Sequence, residues 1–163
     1  MREAEFERLI ELYSGTVYRT AYCRTGSAAD AEDIMQEAFL RLYTSELTFE
    51  NDEHIKAWLI KTAANMGKNL LKSGWHRLSM PITEEIIDKP ANQSEIYDDG
   101  ILPLIMKLKP KNRLALYMHY YEGYSVKEIA AMFGEKQTAV TSRLFRARKQ
   151  LKSLIIKEGL YEL

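Results

Sequence analysis

From Lys136 to Lys157 the chain carries Lys136, Arg143, Arg146, Arg148, Lys149, Lys152 and Lys157, and no acid. Wound as a helix at about 100° per residue, the stretch has two sides. Val140, Leu144, Ala147 and Leu151 form an apolar stripe, while Thr138, Thr141, Ser142, Phe145, Arg146 and Lys149 point away from it. Those outward types suit duplex DNA. Arginine and lysine meet phosphates or guanine edges, hydroxyls reach bases or phosphates, and an exposed Phe can touch a thymine methyl. Upstream, Ser125 and Glu128 have capping-box spacing, and Ile129, Ala130 and Phe133 face inward. Gly134 supplies a turn, and the longer helix starts near Lys136. A short helix, a tight turn and a second helix make a helix-turn-helix, with the second helix available to a major groove. A solvated basic helix on an all-helical domain is the alternative reading of the same charges.

A second acid-free run, His54 to Leu78, carries Lys56, Lys61, Lys68, Lys72 and Arg77. It predicts a helix with Ile55, Trp58, Leu59, Thr62, Ala63, Met66 and Leu70 inward. Lys61, Asn65, Lys68, Asn69 and Lys72 fall on the opposite side. Asparagine is a poor helix former. Between lysines it suits reading a base edge while the lysines hold phosphate; an ordinary polar solvent face is equally open. Trp58 lies on the apolar stripe and Trp75 just past the helix. Either could stack on an unpaired base, Trp75 with less constraint.

The stretch DAEDIMQEAFLRLY (Asp30 to Tyr43) has the opposite character. Ala31, Ile34, Met35, Ala38, Phe39 and Leu42 gather on one helix face. Leu40 falls on the other side, among Asp33, Gln36 and Glu37. A surface this negative is ill suited to DNA, and an apolar residue at its centre suits a polar-rimmed protein contact.

The charges balance overall, with 23 basic and 23 acidic residues among 163. The total therefore conceals alternating basic and acidic segments whose local fields matter for partners. A hydrophobic content of 46% is enough to bury cores, and the absence of long Gly- or Pro-rich stretches argues against wholesale disorder. No apolar run approaches the roughly 20 residues of a transmembrane helix, and MREAEFERLIELY lacks a signal peptide's apolar centre, so a cytoplasmic protein without membrane insertion is expected. Cys23 is the sole cysteine, and His54, His76 and His119 are far apart. No metal, cofactor, phosphate loop or catalytic constellation is expected, and Cys23 reads as a small buried side chain.

Nearly everything outside one stretch reads as helix, so the expected fold class is all-α. Phe6, Leu9, Ile10, Tyr13, Val17 and Ala21 follow helical spacing, Gly26 suits that helix's end, and Ser27 can cap the next. From Ser73 to about Ser94 the period is lost. The division is a first domain at 1–74, a flexible linker at 75–95 and a second domain at 96–163. Helices resume near Ile96, Pro103 either kinks or starts a helix, and Pro110 opens the next, which ends near Gly123.

The order of these parts resembles the extracytoplasmic-function (ECF) sigma factors of bacterial RNA polymerase. DAEDIMQEAFLRLY is similar to the segment that docks on the polymerase β′ clamp helices. AWLIKTAANMGKNLLKS (Ala57 to Ser73) resembles the helix that helps recognise the −10 element, and the stretch from Leu108 to Leu151 resembles the domain that reads the −35 element. The resemblance implies sigma region 2 in the first domain and region 4 in the second. It implies core-polymerase contacts by Asp33, Gln36, Glu37 and Leu40. It implies −10 contacts on the face of Lys61, Asn65, Lys68, Asn69 and Lys72, with Asn65 at a flipped-base position and the loop near Phe49 to Asp52 shaping the pocket. It implies −35 reading by Thr141, Ser142, Phe145 and Arg146, flanked by Thr138 and Lys149. The implied partners are core polymerase (β′ clamp helices and β flap), promoter DNA and an anti-sigma factor. A basic residue is frequent in the family where Thr141 stands, and Lys136 and Gln137 replace a more usual small or Pro-containing turn. An autonomous helix-turn-helix regulator is the first alternative, though it leaves Leu40 and the first domain without a role. A protein-interaction adaptor is the second.

Overall fold

The computed structural model describes residues 1–72 and 102–159. Trp75, the aperiodic stretch and the restart near Ile96 lie outside the described residues. The chain divides into two compact units, Met1–Ile96 and Tyr97–Leu163. Every regular element among the described residues is helical.

The first unit contains α1 (Glu3–Thr25), α2 (Ala28–Thr44) and α3 (Asp52–Lys72), each packed on the other two. Gly26 ends α1 in the left-handed conformation (φ 71°), and its N–H bonds the Tyr22 carbonyl at 2.8 Å. An L side chain is strained in that conformation, so the reversal into α2 needs glycine. Ser27 then caps α2, its hydroxyl accepting the Asp30 N–H at 3.2 Å. The core gathers Leu9, Val17, Ala21 and Tyr22 from α1, Ala31, Ile34, Ala38, Phe39 and Leu42 from α2, and Ile55, Leu59 and Ala63 from α3. Cys23 is buried among them.

On α3 the buried surface is rotated from the expected stripe. Ile60, Ala64 and Gly67 are buried, whereas Trp58, Thr62, Met66 and Leu70 are half-buried. The reason is that α3 meets α1 and α2 together, so two neighbours, not one, set its inner arc. At Gly67 the approach to α1 is close. A Cβ there would stand 2.7 Å from Arg24 Cγ and 2.9 Å from Arg24 Cβ, atoms near the backbone that cannot swing away. At the other end of α3, Arg8 of α1 donates twice to the Asp52 carboxylate, at 2.7 and 3.1 Å.

The second unit contains α4 (Leu102–Ile105), α5 (Pro110–Leu116) continuing into a π-helical turn (Tyr117–Tyr121), α6 (Val126–Phe133) and α7 (Gln137–Lys157). Pro103 falls inside α4. Pro110 stands in the first turn of α5, where its missing N–H leaves no bond unmade. Leu102, Ile105, Met106, Leu114, Leu116, Tyr117, Met118, Ile129, Ala130, Val140, Leu144 and Ala147 are buried, with Phe133 and Leu151 half-buried at the rim. Arg113 is buried too, a feature that polarity alone would place at the surface. Its Nη1 donates to the carbonyls of Met106 and Leu108, at 3.4 and 3.1 Å, and so fixes the connection between α4 and α5.

The capping box is complete: Ser125 Oγ accepts the Glu128 N–H at 3.1 Å, and Glu128 Oε1 accepts the Ser125 N–H at 3.0 Å. Gly134 (φ 64°) ends α6 and makes the turn into α7.

Two predictions test this packing. Gly67→Ala improves helix propensity by about 1 kcal/mol but drives a methyl into Arg24. Overpacking costs about 1–3 kcal/mol, so a net loss on the order of 1 kcal/mol is expected in chemical denaturation; a gain would show the helices free to separate. The Ser125 backbone and side chain hold the Glu128 carboxyl below the usual carboxylate range. Its stabilising contribution is therefore complete above that range and is lost as pH falls through the depressed value. Glu128→Gln should flatten the acid limb of the stability curve relative to wild type, and parallel acid limbs would rule this coupling out.

Candidate docking and nucleic-acid faces

Three faces emerge, two on the first unit and one on the second. On α2, Asp33, Gln36 and Leu40 are exposed, while Glu37 is half-buried and its Oε1 accepts from Arg41 Nε at 3.1 Å. Leu40 is 54% exposed, although its neighbours Phe39 and Leu42 are buried. Tyr43, three residues on and so beside Leu40 on the helix surface, is also exposed, with its ring 4.7 Å from that of Phe6. The apolar centre of this acidic face is thus a leucine and a tyrosine. Spacing alone missed Tyr43, because it lies between the buried and exposed sides of the helix.

On α3, Lys61, Asn65, Lys68, Asn69 and Lys72 are all exposed. Trp58 is not core, as its place on the apolar stripe suggested, but half-buried. It shares a helix side with Asn65, seven residues later. Phe49, from the loop before α3, meets Trp58 edge-on at 5.8 Å and His54 at 5.3 Å. That loop is tied to the helix start. Asn51 Oδ1 accepts the His54 N–H at 2.9 Å, and His54 Nδ1 accepts the Glu50 N–H at 3.2 Å. Aromatic surface therefore stands at one end of a lysine and asparagine row, an arrangement that can hold phosphate and stack on an unpaired base.

On α7, Thr138, Thr141, Ser142, Phe145, Arg146 and Lys149 are all exposed, Phe145 by 66%. Phe145 faces away from the buried Val140, Leu144 and Ala147. The basic residues of this helix are not equivalent. Arg143 donates to both Glu135 carboxylate oxygens, at 2.8 and 2.6 Å. The Glu135 hydrogen bonds hold the Arg143 guanidinium charged more firmly than usual, against the opposing effect of its partial burial. Arg148 Nε donates to the Tyr120 hydroxyl at 2.6 Å, with its guanidinium 5.5 Å from the ring centre. Asn112 donates to Gln150 Oε1 at 2.9 Å. These anchors seat α7 on the unit while the outward row is left to solvent.

Among the described residues no group of three or more His, Cys, Asp or Glu side chains is placed to hold a metal ion. Nor is any helix long and apolar enough to cross a membrane.

Two family models match the chain: sigma-70 region 2 over residues 9–77 and sigma-70 region 4 over residues 100–151. The ECF RNA polymerase sigma factor BldN of Streptomyces coelicolor is 32% identical, covering 92% of this chain and 60% of its own. The ECF sigma factor SigE of Mycolicibacterium smegmatis is 31% identical, covering 94% of this chain and 63% of its own. The chain thus spans less than two thirds of the length of these two relatives. The fold matches that of the sigma factor RpoE of Bartonella quintana, solved with the anti-sigma factor NepR. That match has a TM-score of 0.67 at 21% identity, covering 93% of this chain and 96% of that one. With region 2 followed by region 4 in one polypeptide, and with these relatives, the chain belongs to the ECF group of the sigma-70 family.

Proposed function

We propose that the chain loads onto core RNA polymerase in the cytoplasm and directs it to promoters by recognising −10 and −35 elements. Residues 1–74 act as region 2, 75–95 as linker and 96–163 as region 4. Asp33, Gln36, Glu37 and Leu40 contact the β′ clamp helices. Lys61, Asn65, Lys68, Asn69 and Lys72 face the melted −10 strand, with Asn65 reading a flipped base. Thr138, Thr141, Ser142, Phe145, Arg146 and Lys149 read the −35 duplex in the major groove, where region 4 also meets the β flap. The polymerase performs the chemistry; this chain supplies position.

The observation that carries the reading is Leu40, exposed beside Tyr43 in an acidic patch, while Ala31, Ile34, Ala38, Phe39 and Leu42 of the same helix are buried. An autonomous helix-turn-helix regulator has no use for it. The distribution of labour also accounts for zero net charge: the assembled polymerase contributes DNA affinity, so neither unit needs a strongly basic surface alone. Capturing melted bases offsets a few kcal/mol of unstacking per base. An anti-sigma factor that covers these faces belongs to the proposal, as NepR partners RpoE.

Promoter-dependent transcription with purified core polymerase, with and without the chain, tests the reading. Absence of stimulation on every promoter in a genomic pool would sink it. Leu40→Arg should weaken core binding on the order of tenfold, the scale of one interface anchor, while thermal unfolding is unchanged. A collapse of stability instead would place Leu40 in a core. Arg146→Ala should lower −35 discrimination about tenfold, and Asn65→Ala should reduce open-complex formation without altering duplex binding; silence of both would favour the adaptor reading.

A further inference from the structure

The basic residues of α7 divide by where they sit around the helix. Val140, Leu144 and Ala147 define the buried direction. Arg143 lies about 70° to one side of it, and the outward row centred on Ser142 and Lys149 lies roughly opposite. Arg143 is half-buried, unlike Arg146 and Lys149. Both its terminal nitrogens are engaged by Glu135. A guanidinium held in this two-point geometry is planar, directional and already neutralised, so it is poorly disposed to meet a phosphate.

Glu135 occupies a telling place. It lies in the turn between α6 and α7, directly before Lys136, the residue that begins α7 without a side-chain cap. Its own N–H bonds the Ala130 carbonyl at 2.9 Å, which anchors it to α6. The pair therefore joins the end of the first helix to the second turn of the second. It bears on the angle at which Thr138, Thr141 and Ser142 are presented. It also neutralises a carboxylate beside the helix N-terminus, where a free acid would repel the phosphates of an approaching duplex.

We propose that Arg143 is a positioning residue for −35 recognition and not a phosphate contact: paired with Glu135, it sets the seat of the recognition helix and masks the acid in the turn. This rests on the promoter-recognition reading above. Specificity in the major groove depends on side chains meeting base edges in register, so loss of the pair costs discrimination before it costs non-specific affinity.

The test uses the full chain loaded on core polymerase. Wild type first selects a duplex from a randomised library, and affinity is then measured for that duplex and for the same duplex with its −35 half scrambled. Glu135→Ala and Arg143→Ala should each lower the ratio of the two affinities about tenfold, the scale of coupling within a contacting pair. The double variant should be no worse than either single one. The charge swap, Glu135→Arg with Arg143→Glu, should recover most of the ratio. A role in stability alone reduces the folded fraction and both affinities alike, leaving the ratio unchanged. A direct phosphate contact predicts that Glu135→Ala strengthens binding to both duplexes, and that Arg143→Ala weakens both. Either pattern, or additive losses in the double variant, overturns the inference while leaving promoter recognition standing. A wild type that selects no sequence overturns the promoter reading and this inference with it.

Discussion

Helix α1 buries surface against both α2 and α3, and that double contact is the constraint on which the first unit depends. The three helices share one small core, so each has limited room to bury apolar side chains. Gly67, where a methyl would strike Arg24, lets α3 pass close to α1 while it also packs on α2. Once α3 is rotated in this way, Ile60, Ala64 and Gly67 turn inward, and Trp58 is left at the edge of the core. The lysine and asparagine row remains outside. The exposed faces are therefore consequences of the packing: they are what the core leaves over.

The second unit solves a related problem by different means. Helix α7 is held firmly yet keeps one face clear. Val140, Leu144 and Ala147 supply the apolar grip. Polar anchors on either side, Glu135 to Arg143 and Tyr120 to Arg148, resist rolling about the helix axis. Dispersion and burial have little directional preference, whereas hydrogen bonds and two-point ion pairs do. Shape holds the helix on the unit, and the anchors define its rotation. The buried Arg113, bonded to two carbonyls of the preceding connection, applies the same principle deeper in the unit.

Sigma factors divide recognition between separate faces, and the three faces here differ in chemistry accordingly. The acidic patch around Leu40 and Tyr43 is suited to protein. The α3 row, ending in Trp58 and Phe49, combines cations with aromatic surface, as single-stranded nucleic acid requires. The α7 row combines hydroxyls, a phenyl ring and arginine, as a major groove requires. In the proposed function each face can be modest alone, because a shared polymerase converts modest affinities into selectivity.

Much of this was legible in the sequence, because helical periodicity and capping are local. Gly26, Ser27, Pro110, the Ser125–Glu128 box, Gly134 and the buried stripe of α7 depend on residues within a turn or two of each other, and spacing revealed them. The outward rows followed as complements of those stripes, and Leu40 was conspicuous because it broke one. Tertiary structure alone decided whatever depends on two elements meeting. It rotated the inner arc of α3, moved Trp58 out of the core, set the Tyr43 ring against Phe6, buried Arg113, paired Arg143 with Glu135 and laid Arg148 on Tyr120. The physical reason is that a residue's type and phase show which way its side chain points along one helix, but whether a charge is free to bind is set by what the rest of the chain places opposite it.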